Sequence, residues 1–179
     1  MNKTVQQYDL AAAKCEAVFV KKTKDYGTAW RILRTSSLTD QLFIKAKRIR
    51  SLETNAEQKI EEGVEPEYIG LINYSAMALI QIDMEETDEM ELPADQAKQL
   101  YVDQIVQTKE LMLAKNHDYG EAWRDMRISS LTDLILMKIL RLKQIEDNNG
   151  KTIISEGPEG SYRDIINYAM FALIKLSEK

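Results

Sequence analysis

"DYGTAWRILRTSSLTD" (25–40) and "DYGEAWRDMRISSLTD" (118–133) are two versions of one segment. Aligned at a shift of 93, residues 25–48 and 118–141 are identical at 14 of 24 positions. One inserted residue later, "EGVEPEYIGLINYSAMALI" (62–80) aligns with "EGPEGSYRDIINYAMFALI" (156–174) at a shift of 94, and Tyr8 lands on Tyr101. A unit this long is too large for a solenoid repeat and reads as a duplicated domain. The first copy spans 1–84, an acidic linker spans 85–93, and the second copy spans 94–179, the two packed as one globular unit.

Each copy predicts three helices. The first covers roughly 4–23 and 94–116, with Pro93 and Asp95 marking the later start. The Asp-Tyr-Gly turn follows, since glycine tolerates the positive φ that ends a helix. Ser37-Leu-Thr-Asp40 and Ser130-Leu-Thr-Asp133 read as capping boxes for the second helix. That helix runs to about 62 in the first copy, and to Asp147 in the second, where "DNNGK" breaks it. The third helix starts at Pro66 and near Ser161 and ends near 82 and 177. It is apolar nearly all round (Leu71, Ile72, Met77, Leu79, Ile80), as a central helix is. The fold class is therefore all-α: a tandemly duplicated helical unit packed as a pseudo-two-fold helix bundle, one chain imitating a homodimer.

Composition agrees and narrows the function. Of 179 residues 44% are apolar, and only three are proline and seven glycine. The net charge of -5 argues against a general nucleic-acid coat. No apolar run is long enough for a membrane span, and the lone Cys15 and plain N-terminal stretch suit a cytoplasmic protein. One histidine and one cysteine leave no His/Cys zinc site, and neither glycine-rich phosphate-loop pattern occurs.

Residues kept in both copies are the candidates for chemistry. The basic set pairs Lys22/Lys115, Arg31/Arg124, Lys45/Lys138 and Arg48/Arg141. Lys45 and Arg48 are three apart and share a helix face, a pattern that suits phosphate. A solvated, ion-paired face is the plainer alternative. Matched carboxylates are Asp25/Asp118, Asp40/Asp133, Glu62/Glu156 and Glu65/Glu159. A Mg²⁺ ion on nucleotide phosphates needs only one or two of these. The two Glu pairs sit in loops by this reading, and Asp164 faces Gly70 in the alignment. Tyr26 with Trp30 and Tyr119 with Trp123 could stack a base, or each Trp could plug the core with its N–H partnered. Asn73 and Asn167 lie in apolar helices and must be hydrogen-bonded, either to one another across the pseudo-axis or to a ligand.

The order K-x-x-D-Y-G-x-A-W, S-L-x-D, K-x-x-R, E-G and N-Y before an apolar run resembles the nucleotide modification associated domain 1 family (DUF1599), twice over, from Lys22 to Tyr74 and Lys115 to Tyr168. The resemblance implies a bacterial or phage protein of nucleotide modification. A weaker similarity is to the all-α NTP pyrophosphohydrolases of the MazG type, which bind Mg²⁺ through E-x-x-E and a later E-x-x-D. Here E-x-x-E occurs at Glu62/Glu65 and Glu156/Glu159, without a matched E-x-x-D.

The function expected is nucleotide binding in (deoxy)nucleotide metabolism, extending to Mg²⁺-dependent NTP hydrolysis. Lys22, Arg31, Lys45, Arg48, Lys115, Arg124, Lys138 and Arg141 hold phosphates in this reading. Tyr26, Trp30, Tyr119 and Trp123 face the nucleobase, and Asp25 and Asp118 are the catalytic pair, orienting a basic residue or a metal-bound water. Glu62, Glu65, Glu156, Glu159 and Asp164 are the Mg²⁺ ligands in this reading. The partner is a nucleotide or other phosphorylated small molecule, with homo-oligomerisation allowed. The alternative is a non-catalytic helical scaffold or partner-binding module.

Overall fold

Burial repeats along the chain at the same shift as the sequence. The computed structural model describes residues 2–55, 60–84, 89–153 and 157–179, with the side chains of residues 2 and 60–62 outside that description. Among the described residues there are six α-helices and no strand: α1 (Asn2–Tyr26), α2 (Thr35–Thr54), α3 (Ile60–Asp83), α4 (Ala94–Tyr119), α5 (Ile128–Asp147) and α6 (Pro158–Ser177). One-turn 3-10 helices, Ala29–Ile32 and Ala122–Asp125, follow α1 and α4.

On α1 the buried face is Thr4, Tyr8, Ala11, Cys15, Phe19 and Thr23, at the three-to-four spacing of one helix stripe. On α4 it is Ala97, Tyr101, Gln104, Thr108, Met112 and Asn116, each 93 residues later. On α2 and α5 Leu38, Leu42, Ala46 and Ile49 correspond to Leu131, Ile135, Ile139 and Leu142. The chain therefore buries the same face in both copies.

α3 and α6 pack on each other. α1 and α4 pair on one side of them, α2 and α5 on the other, so each helix meets its counterpart. This is the pseudo-two-fold bundle the sequence predicts, with the most apolar helices in the middle layer.

Several boundaries differ from the sequence reading. α2 and α5 begin at Thr35 and Ile128, after Arg34 and Arg127 in extended conformation, and neither start has a side-chain cap. Ser37 and Ser130 thus lie inside the first turn, so the predicted capping boxes do not form. Asp40 and Asp133 point outward instead, 3.4 Å from Lys143 and 3.9 Å from Arg50. α2 ends at Thr54 rather than near 62, and α3 begins at Ile60, so Pro66 sits within a helix instead of starting one. Proline so near a helix start removes one backbone bond, and the following apolar turns are buried enough to hold it. In the second copy Pro158 does open the helix, after Gly157 at φ 111°.

The glycine turns are as expected: Gly27 and Gly120 have φ of 61° and 67°. The end of the linker is pinned to the first corner. Thr28 Oγ1 donates to the Met90 carbonyl (2.9 Å) and accepts from the Leu92 N–H (2.9 Å), and Leu92 is buried.

Two crossed hydrogen-bond systems join the copies. Neither asparagine clasps the other. Asn73 donates to the Cys15 carbonyl (3.1 Å) and accepts from Tyr101 (2.6 Å). Asn167 donates to the Thr108 carbonyl (3.2 Å) and accepts from Tyr8 (2.8 Å). Each amide thus ties its own copy's first helix to a tyrosine of the other copy.

On the far side of the middle layer, Tyr68 meets Thr132 Oγ1 at 2.7 Å, and Thr132 donates to Glu53 at 3.0 Å. Tyr162 meets Thr39 Oγ1 at 2.8 Å, and Thr39 donates to Glu146 at 2.8 Å. Burial holds both Glu53 and Glu146 above the ordinary 4.5, against the lowering effect of the threonine bonds.

A carboxyl raised in the folded state binds its proton more tightly there than in the unfolded chain. Its contribution favours folding below the unfolded pKa and is lost as pH rises through the folded one. Glu53→Gln should therefore gain in Tm relative to the native chain as pH rises from about 4 to about 7. Melting curves across that range test this, and a Tm difference that is flat or falling would contradict it.

Candidate functional site

The two corners of the bundle carry the same residues in different surroundings. In the first copy a cleft of about 800 Å³ opens between the C-terminal part of α1, the following 3-10 turn, α2 and α3. α1 brings Lys22 and Tyr26, the turn brings Trp30, and α2 brings Lys45. The α3 wall is Glu65, Ile69, Gly70, Asn73, Tyr74 and Met77, with Asn73 four residues before Met77 and three after Gly70.

Lys22 is exposed and carries no ion pair among the described residues. Lys45 crosses directly over Gly70, where an added Cβ would lie 2.6 Å from its Cδ and Cε. A larger residue there would displace the end of the Lys45 side chain. Lys45 is largely covered and reaches Glu67 at 3.5 Å, and its ammonium lies 5.4 Å from the Tyr74 ring centre. Trp30 is half-buried, and its one ring contact among the described residues is Phe19, tilted at 56° with centroids 6.3 Å apart. Tyr26 is 71% exposed on the rim.

In the second copy the same places are filled. Asp164 stands where Gly70 does, and its two oxygens take Lys115 (2.8 Å) and Lys138 (3.0 Å). Phe171 stands where Met77 does and stacks on Trp123, 4.3 Å between centroids and 3° from parallel. Arg163 stands where Ile69 does and donates to Thr108 Oγ1 (2.9 Å) and Gln104 Oε1 (3.1 Å).

The sequence candidates therefore separate. Lys22, Lys45, Tyr26, Trp30 and Glu65 share one cleft. Arg31 does not: it is buried, bonded to Gln81 and to the Glu89 carbonyl (3.4 Å), and braces the corner against α3. Arg124 is held by Glu121, Glu178, Thr4 and Gln7, and lies over Trp123 at 4.4 Å. Both arginines are engaged by groups of the chain itself, and neither lines the cleft that holds Lys22 and Lys45.

Arg48 is on the surface, 3.5 Å from Glu67, and Arg141 is exposed on α5. Asp25 and Asp118 are exposed at the ends of α1 and α4, and Asp25 does not line the cleft. Asp118 has His117 at 3.4 Å. Trp123 is covered by Phe171, so it cannot face a base. Tyr119 is 78% exposed and does not stack on Trp123. Both indole N–H groups are buried without a partner among the described residues, against the expectation that each finds one.

For the metal set, the Glu62 side chain and Glu156 lie outside the described residues. Glu65 lies within α3 rather than in a loop, 3.4 Å from Lys14. Glu159 is in the first turn of α6, and Asp164 has both oxygens occupied by ammonium groups. Among the described residues no group of three or more His, Cys, Asp or Glu converges as a metal cage. Cys15 is buried, and burial pushes its thiol up to about 12, which removes it as a nucleophile.

A second open groove of about 690 Å³ is lined by Glu53, Arg124, Arg127 and Lys175. Its cations are already engaged in part: Lys175 donates to the Arg124 carbonyl at 2.6 Å. It is a weaker candidate than the cleft for that reason.

A family model for Nucleotide modification associated domain 1 matches residues 22–82 and 115–176. The chain belongs to this family. The first matched segment begins at Lys22 and ends beyond Met77, so it contains most of the cleft wall. The second contains Lys115, Lys138, Asp164 and Phe171, so family membership does not itself distinguish the open copy from the filled one. No curated protein and no solved structure matches the chain.

Position-by-position matching finds Lys22, Lys45 and Trp30 but misses what distinguishes the copies. The signal lies in the mismatches Gly70/Asp164 and Met77/Phe171. The same shift extended to Glu53/Glu146 would also have found the carboxylates of the Tyr–Thr–Glu system.

Proposed function

We propose that the first repeat binds a nucleotide in its cleft, with phosphates on Lys22 and Lys45 and the base against Trp30 and Tyr26. The observation that carries this reading is the convergence of two lysines from different helices with a half-buried indole in one cleft. Ammonium groups in a partly desolvated wall bind phosphate through charge-assisted hydrogen bonds. An aromatic face takes any base without reading its edge. The family's name, nucleotide modification associated, points to the same ligand class. Glu65 is the carboxylate on the cleft wall that would meet a Mg²⁺ ion carried on the phosphates. A bound Mg²⁺ would neutralise phosphate charge. The described carboxylates support binding further than they support hydrolysis.

A thermal-shift series with the common ribo- and deoxyribonucleoside triphosphates, with and without Mg²⁺, tests this. A ligand at one hundred times its Kd adds about 2.7 kcal/mol, roughly 5–10 °C in Tm for a chain of this size. No shift with any nucleotide would favour the helical scaffold instead.

A further inference from the structure

We infer that the second repeat is a self-occupied copy of the binding site, and that Asp164 and Phe171 mark where the first repeat places its ligand's anion and ring. This rests on the nucleotide reading for the identity of the ligand, but the geometry comes from the chain's own two copies.

Lys115 and Lys138 are the counterparts of Lys22 and Lys45, and Trp123 of Trp30. In the second repeat α6 supplies the counter-ion of both lysines and covers the tryptophan face. The Asp164 carboxylate bridges both ammonium groups at 2.8 and 3.0 Å, and it is well shielded from solvent. The Phe171 ring lies flat on the indole at 4.3 Å. An anion between two lysines and a planar ring on a tryptophan are what a nucleotide would present there.

The first repeat has Gly70 and Met77 at those two positions, and there the cleft is open. Among the described residues the one ion pair of Lys45 is Glu67, at 3.5 Å, and Lys22 has none. No ring lies parallel on Trp30 among the described residues.

The spacing also selects the ligand. Asp164 and Phe171 are seven residues apart on one helix, about two turns or roughly 10 Å along its axis. The anion and the ring must therefore be joined by a spacer, which favours a nucleoside polyphosphate over a free base or a lone phosphate. The chain then binds one such molecule, not two, despite its duplication.

Isothermal titration of the full chain, with ATP and dCTP as nucleotide probes and inorganic tripolyphosphate as the anion probe, tests this. The native chain should take one nucleotide. Gly70→Asp, which installs the second repeat's carboxylate, should lower affinity at least about 100-fold. Met77→Phe, which installs its ring, should lower nucleotide affinity while sparing tripolyphosphate. Circular dichroism melting confirms that each variant is folded, and the native stoichiometry needs no variant.

Two nucleotides per native chain would overturn the inference and leave the nucleotide reading intact. So would one nucleotide whose binding survives both substitutions. Binding of tripolyphosphate alone, lost in Gly70→Asp, would overturn the nucleotide reading and uphold the anion position. Binding of neither probe would overturn both.

Discussion

Asn73→Leu should destabilise the protein by about 1–3 kcal/mol, because it orphans the buried Tyr101 hydroxyl and removes a second bond to the Cys15 carbonyl. The Tyr101 hydroxyl loses its acceptor at 2.6 Å, while the Cys15 carbonyl loses the Asn73 donor at 3.1 Å and keeps its bond within α1. Tyr101 and Asn73 are both buried, so water cannot replace either partner without opening the α3–α4 contact. Leucine is close to asparagine in size, so the loss is one of polar pairing rather than volume. Denaturant melts should show the midpoint falling while the slope stays unchanged.

A double-mutant cycle with Tyr101→Phe makes the test specific. Removing the hydroxyl as well removes the unpaired group, so the double variant should recover part of the loss, with a coupling of about 1–2 kcal/mol. Additive effects would show that the bond contributes nothing. Asn167→Leu with Tyr8→Phe should behave the same way, since that exchange is the pseudo-symmetric copy.

Neutralising both cleft lysines, Lys22→Gln with Lys45→Gln, should cost at least about 100-fold in affinity for a nucleoside triphosphate. Each ammonium group supplies a charge-assisted contact, and the variant retains the length of the wall. Stability should hardly change. The Lys45–Glu67 pair is 3.5 Å apart, and Lys22 is exposed. Glu67 keeps Arg48 at 3.5 Å when Lys45 is neutralised, so no carboxylate is left without a counter-ion.

Calorimetry and melting on the same sample separate the outcomes. Unfolding would mark the lysines as structural. Undiminished binding would move the site away from the cleft, toward the groove of Arg124, Arg127 and Lys175. The matching pair Lys115→Gln and Lys138→Gln should leave nucleotide affinity unchanged and destabilise the fold, because it strips Asp164 of both counter-ions.

The sequence by itself determined the duplication, the helical class and the pairing of like with like. Those follow from periodicity: residues 93 or 94 apart have the same character, so they bury the same faces. Gly27 and Gly120 were legible for the same local reason, since a positive φ is a property of one residue and its neighbours.

Tertiary structure decided everything that depended on which residue reaches which. Arg31 and Arg124 match across the copies, yet Gln81 and the ends of other helices claim them. Ser37 and Ser130 fit a capping pattern, yet the helices begin earlier and turn Thr39 and Thr132 inward to tyrosines of the opposite copy. Asn73 and Asn167 needed partners, and only packing could supply Tyr101 and Tyr8 rather than each other.

The candidate site shows the same division. Lysines and tryptophans kept twice left open whether one copy or both form a site. A glycine lets Lys45 lie across α3 in one copy, while in the other an aspartate and a phenylalanine fill the equivalent space. Matching identities names the wall of a cleft. Whether the cleft is open depends on side-chain volume and charge at the two unmatched positions, and those act only through contacts made in three dimensions.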